Sequence, residues 1–94
     1  MHKQDYADAR RVLQRAVEID SENAEAEYDL GFARLKLGEA GQAIAPLEKA
    51  AQLDPKNVAI EQVLAQAYRA ETRPADAQAA SDKALQLRRA GQKP

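Results

Sequence analysis

The sequence predicts an all-α fold built as a short stack of helical hairpins, and three observations carry that expectation. Alanine is abundant while β-branched residues are scarce, so good helix formers dominate. Apolar residues recur at three- and four-residue spacing, as in Leu13-Ala16-Val17, Leu30-Ala33-Leu37 and Leu47-Ala50-Ala51, with no sustained alternation of the strand type. Sliding the chain against itself gives one dominant offset of 34 residues. In that register Ala9, Ala43 and Ala77 coincide, as do Ala16, Ala50 and Ala84, and Ile19, Leu53 and Leu87. Arg15 falls in step with Lys49 and Lys83, Leu30 with Leu64, Ala33 with Ala67, Asp20 with Asp54, and Glu27 with Glu61. A fixed period of this length means stacked helix–turn–helix units, each covering its neighbour's apolar face.

The breaks between helices come at regular places. Asp20-Ser21-Glu22-Asn23 is a polar turn with capping residues before Ala24. Gly38-Glu39-Ala40-Gly41 interrupts the next helix, and Asp54-Pro55-Lys56-Asn57 ends the third because proline disfavours helical backbone in the residue before it. Thr72-Arg73-Pro74 is a further stop and start, with Pro74 suited to a first helical turn. Five helices follow, near 3–19, 24–37, 40–53, 58–70 and 74–89, joined by the short connections of antiparallel hairpins. Pro46 falls inside the third helix and removes the hydrogen bond to the Gln42 carbonyl; because the apolar pattern continues across it, a mild bend is expected rather than a break.

Composition removes whole classes of function. The chain has 94 residues, too few for two independent cores. It contains no cysteine, so disulfides, thiol catalysis and cysteine-ligated metals are out. Its one histidine, His2, sits at the start of the chain, far from any triad. Basic and acidic residues number 14 and 15, for a net charge of −1, which argues against nucleic acid as a partner. No apolar run approaches the roughly 20 residues that cross a bilayer, so no membrane insertion is expected. The opening residues lack a signal peptide's apolar stretch, making cytoplasm the default compartment. No constellation of residues supports catalysis, and neither a cofactor nor a metal is expected. The basic residues Arg88, Arg89 and Lys93 are read as complementing the end of the last helix.

Residues 24–57 resemble one complete unit of the tetratricopeptide repeat family. The resemblance rests on the Leu30-Gly31 pair, Ala43 between the helices, Leu47 at the large apolar position, Ala50, and the closing Pro55. Residues 58–91 resemble a second unit through Leu64, Ala65, Tyr68, Ala77 and Ala84, with Ser81 and Arg89 replacing the large apolar residue and the proline. Residues 2–23 resemble only the second helix of a unit, with Tyr6, Ala9, Leu13 and Ala16 in place; residues 92–94 form a tail. Glu27 and Glu61 stand where the family usually has Trp, and Arg34 stands where Tyr68 sits one repeat later. The resemblance implies a right-handed α-solenoid of about 2.5 units and five antiparallel helices in one domain, 1–94.

It also implies a role in binding protein, with the first helix of each unit lining a concave groove that takes a peptide segment of a partner. Mapped residue by residue, the groove is expected to present Glu25, Tyr28, Asp29, Phe32 and Lys36 from one helix. Ala59, Gln62, Val63, Gln66 and Arg69 would come from the other. Tyr28 and Phe32 are four residues apart and share a helical face, where aromatic anchors are apt; packing between helices is their bland alternative. The Lys-Asn-Arg clamp with which some members grip chaperone tails is absent, its positions holding Tyr28, Phe32 and Val63, or Asp29, Ala59 and Val63. A second expectation is self-association into a homodimer through an uncovered first helix, with Ala9 and Leu13 as the contact residues.

Overall fold

The computed structural model describes residues 2–92; Lys93 and the rest of the tail beyond Gln92 lie outside them. Five helices run in order: α1 (Lys3–Ile19), α2 (Ala24–Lys36), α3 (Ala40–Leu53), α4 (Val58–Ala70) and α5 (Pro74–Gly91). They form an α-solenoid measuring 40 × 28 × 22 Å, in which each helix packs mainly on its neighbours in sequence and α2 also touches α4. The last helix runs two residues past its expected end, and α3 passes through Pro46 unbroken. Gln42, whose carbonyl loses its partner there, is exposed to water.

Local chemistry explains where the helices start and stop. Asn23 Oδ1 accepts from Ala26 N at 3.0 Å and Asn57 Oδ1 from Ala59 N at 3.0 Å, satisfying donors that helix starts leave unpaired. α2 ends in a paired closure: Glu39 N donates to the Arg34 carbonyl and Gly38 N to the Leu35 carbonyl, with Gly38 left-handed at φ 80°. One repeat later Arg73 N donates to the Tyr68 carbonyl and Thr72 N to the Arg69 carbonyl. Here the left-handed position, at φ 56°, is held by Thr72, a β-branched residue.

The core lies where α2, α3, α4 and α5 meet, around Ala43, Leu47, Ala50, Ile60, Leu64, Ala67, Ala77 and Ala80. The phased alanines let helices approach closely, and Gly31 does so most tightly. A methyl built on it would stand 2.4 Å from Leu47 Cγ and 3.1 Å from the Ala43 carbonyl oxygen. In α1 the same alanine stations, Ala9 and Ala16, are only half-buried, and no residue of that helix is fully buried.

The exchange of Arg34 for Tyr68 has a structural reason. The Tyr68 hydroxyl donates to Glu48 on α3, and the Arg73 guanidinium lies 4.8 Å from the centre of its ring. One repeat earlier Arg34 Nη2 donates to Gln14 Oε1 on α1 at 2.8 Å and pairs with Glu39 at 3.5 Å. Gln14 is in register with Glu48, and Glu39 with Arg73. Both units therefore tie the same three stations together with different donors. Arg10 also pairs with Glu39, fastening α1 to the turn after α2.

Candidate binding surface

α2 carries a run of stacked groups along one side. The Tyr28 and Phe32 rings lie nearly parallel, their planes 11° apart and centroids 6.2 Å apart. Tyr6 of α1 meets Phe32 edge-on at 6.2 Å, and Lys36 Nζ sits 5.2 Å from the centre of the Phe32 ring. Both Tyr28 and Phe32 are half-buried, so they pack and present surface together, while Lys36 is exposed. Tyr28 also packs against the core, and that burial, with Asp29 nearby, raises its hydroxyl pKa.

On α4, Gln62, Gln66 and Arg69 are exposed, in register with Tyr28, Phe32 and Leu35. They line an open depression with Ser81, Leu85 and Arg88, across which Arg69 Nη2 donates to Ser81 Oγ at 2.9 Å. Val63 does not belong to this surface. It is 7% exposed and forms part of the core, because the buried arc of α4 reaches from Ile60 round to Tyr68 and takes in this station, whereas its counterpart on α2, Asp29, is only half-buried.

Ala9 and Leu13, expected at a separate end surface, line a notch together with Tyr6, Asp29, Phe32 and Ala33, with a volume of about 280 Å³. The aromatic run and the end of the stack thus meet at Phe32. Asp29 is half-buried there, and desolvation, with Glu25 nearby, raises its pKa. Among the described residues no cluster of His, Cys, Asp or Glu is arranged to hold a metal ion, and no helix is long and apolar enough to cross a membrane.

Two family models match the chain: a TPR repeat over residues 1–38 and a tetratricopeptide repeat over residues 24–57. The chain belongs to the tetratricopeptide repeat family. Solved structures agree. Two forms of MamA AMB-1 are each 27% identical to it, with TM-scores of 0.84 and 0.87, over 89% and 92% of this chain and 49% and 47% of theirs. MamA MSR-1 is 25% identical with a TM-score of 0.86, over 94% of this chain and 51% of that one. The chain spans about half the length of these structures. No curated protein matches it in sequence. Tetratricopeptide repeats are a protein-interaction fold, and the chain is a module of that kind.

The tetratricopeptide pattern also frames what sequence reading missed. Glu27 and Glu61, in the family's Trp position, are both buried, at 7% and 5% exposure. Glu61 Oε2 lies 3.4 Å from Lys83 Nζ. Burial raises the Glu27 pKa, and the positive charge of Lys49 offsets part of that rise. The signal was present as a constant spacing: each Glu precedes its Lys by the same interval in both units.

Proposed function

We propose that the concave side, formed by α2 and α4, binds a peptide segment of a protein partner. Tyr28 and Phe32 supply apolar contact, and Lys36, Gln62, Gln66 and Arg69 orient a polar or acidic segment. The observation that carries this reading is the Tyr28–Phe32 stack with Lys36 beside the Phe32 ring, continued on α4 by the exposed amides of Gln62 and Gln66 at the stations of the two rings and by Arg69 one turn on. Aromatic anchors beside adaptable polar groups are typical of recognition surfaces. In this reading residues 58–91 act as a second full unit beside 24–57, within one domain.

The test is selection of binding peptides from a random display library, followed by titration against Tyr28→Ala/Phe32→Ala. Loss of binding with the helical circular dichroism retained supports the groove; unchanged affinity refutes it. Self-association through α1 is the second reading, supported by the half-exposed Ala9 and Leu13. A mass that doubles with concentration in sedimentation velocity, and stays monomeric in Leu13→Asp, would favour it.

A further inference from the structure

On the side of α2 away from the Tyr28–Phe32 stack runs a trough with an acidic end, an apolar middle and a basic end. Glu27, Leu30 and Arg34 share one face of α2, opposite the face of Tyr28, Phe32 and Lys36. That face floors an open depression of about 520 Å³ whose walls are α1 and α3. Floor and walls all belong to this chain, so the trough lies within the stack and not on its end. Val17, Leu30, Ala45 and Pro46 form its apolar stretch.

The acidic end is an unpaired carboxylate. Glu27 is buried, and among the described residues no side chain pairs with it. Its counterpart Glu61 pairs with Lys83 at 3.4 Å. The difference arises in the turn before each hairpin. Lys49 Nζ lies 3.7 Å from Glu22 Oε1, whereas one repeat later the station of Glu22 holds Lys56 and offers Lys83 no second carboxylate. A carboxylate withdrawn from water is costly until a cation meets it, and Glu27 lines a space that admits one from outside.

The basic end carries a charge in excess. Arg34 donates from Nη2 to Gln14 Oε1 at 2.8 Å and from Nη1 to Gln42 Oε1 at 2.9 Å, and it shares Glu39 with Arg10. Two guanidiniums to one carboxylate leave a net positive charge. Gln42 accepts through its oxygen, which leaves its exposed amide N–H groups as donors. One repeat later the station of Arg34 holds the buried ring of Tyr68, covered by the Arg73 guanidinium, so this pattern of charge belongs to the first trough alone.

We propose that this trough binds an alkylammonium group whose stem ends in a carbonyl or carboxylate. The ammonium lies at Glu27, the methylenes run over Val17, Leu30 and Pro46, and the oxygen faces Arg34 and Gln42. Lysine-type stems readily cover apolar surface while their charged end meets a partner. Glu27 and Arg34 are seven residues apart, about 10 Å along the helix, and their own side chains take up part of that span. A lysine residue of a protein segment and a free ω-amino acid share this chemistry. A diamine does not, because its second ammonium meets the surplus charge at Arg34. The site is independent of the concave reading, since it uses the opposite face of α2.

The probes are ε-aminocaproate and the peptide acetyl-Gly-Lys-Gly-amide, titrated at neutral pH into the isotope-labelled whole chain and followed by amide chemical shifts. Saturable shifts at Val17, Leu30 and Ala45 are expected, with affinity about tenfold weaker in Glu27→Gln, where one charge-assisted contact is lost. Hexanoate, which lacks the ammonium, and cadaverine, which carries a second one, should each bind about tenfold more weakly than ε-aminocaproate. Arg34→Gln should remove the preference for ε-aminocaproate over cadaverine, a change that altered folding alone does not produce. Tighter binding of the peptide assigns the site to a lysine of a protein, and tighter binding of ε-aminocaproate to a free ω-amino acid. No saturable shift with either probe overturns the proposal, as does equal affinity in the parent and Glu27→Gln. Shifts confined to Tyr28, Phe32 and Gln66 place the probes on the concave side and overturn it as well.

Discussion

Replacing Thr72 by glycine should stabilise this protein, an unusual expectation for a change that removes a side chain. Thr72 closes α4 at φ 56°, and its counterpart one repeat earlier, Gly38, closes α2 at φ 80° through the same pair of hydrogen bonds. Left-handed backbone costs a residue with a Cβ about 1–2 kcal/mol. Glycine gives back about 0.5–1 kcal/mol of that through its freer unfolded chain. The net gain for Thr72→Gly is about 0.5–1 kcal/mol, which raises Tm by about 2–8 °C in a domain this small. Thr72 is exposed, so little packing is lost. Thermal melts by circular dichroism, supported by urea midpoints at constant m-value, measure the change. The reciprocal variant Gly38→Thr should lower Tm. A fall in Tm for Thr72→Gly, or no change, would show that the left-handed closure does not strain Thr72 and would refute the reasoning.

Two further substitutions separate packing from charge. Gly31→Ala places a methyl 2.4 Å from Leu47 Cγ, which is fully buried, and should cost about 1–3 kcal/mol by overpacking. Gly41→Ala meets first the flexible carboxylate end of Glu71 at 3.3 Å and should gain about 0.5–1 kcal/mol; urea midpoints of the pair should move in opposite directions. Glu27 has a pKa raised in the folded state, so it binds its proton more tightly there than when unfolded. Its contribution therefore falls as pH rises from the ordinary value of 4.5 through the raised folded value. Glu27→Gln should raise Tm relative to the parent more at pH 7 than at pH 4.5, and an equal difference at both would refute that assignment.

The five helices could be read from sequence because each boundary has its own chemistry: Asn23 and Asn57 as caps, Gly38 as a left-handed close, Pro74 in a first turn. Phasing by the 34-residue repeat was equally legible, since Ala43, Leu47 and Ala50 all point into the core. The site was legible only in part. Helical periodicity gives the direction of each side chain, but the width of the buried arc depends on where the neighbouring helices lie against it. Val63 is expected in the groove from its register with Asp29, yet it is buried in the core while Asp29 stays half-exposed. That Phe32 joins the groove to the end of the stack follows from how α1 crosses α2, a property no single helix encodes.

The absence of any fully buried residue in α1 bears on how the molecule comes apart. Stability in a stack of near-neighbour contacts is a sum of local terms, and α1 contributes the smallest of them. Its amides should exchange with solvent faster than those around Leu47 and Leu64, through openings that leave α3 and α4 intact. Heating should therefore release helical signal from this end before the core is lost, so that different probes trace different transitions.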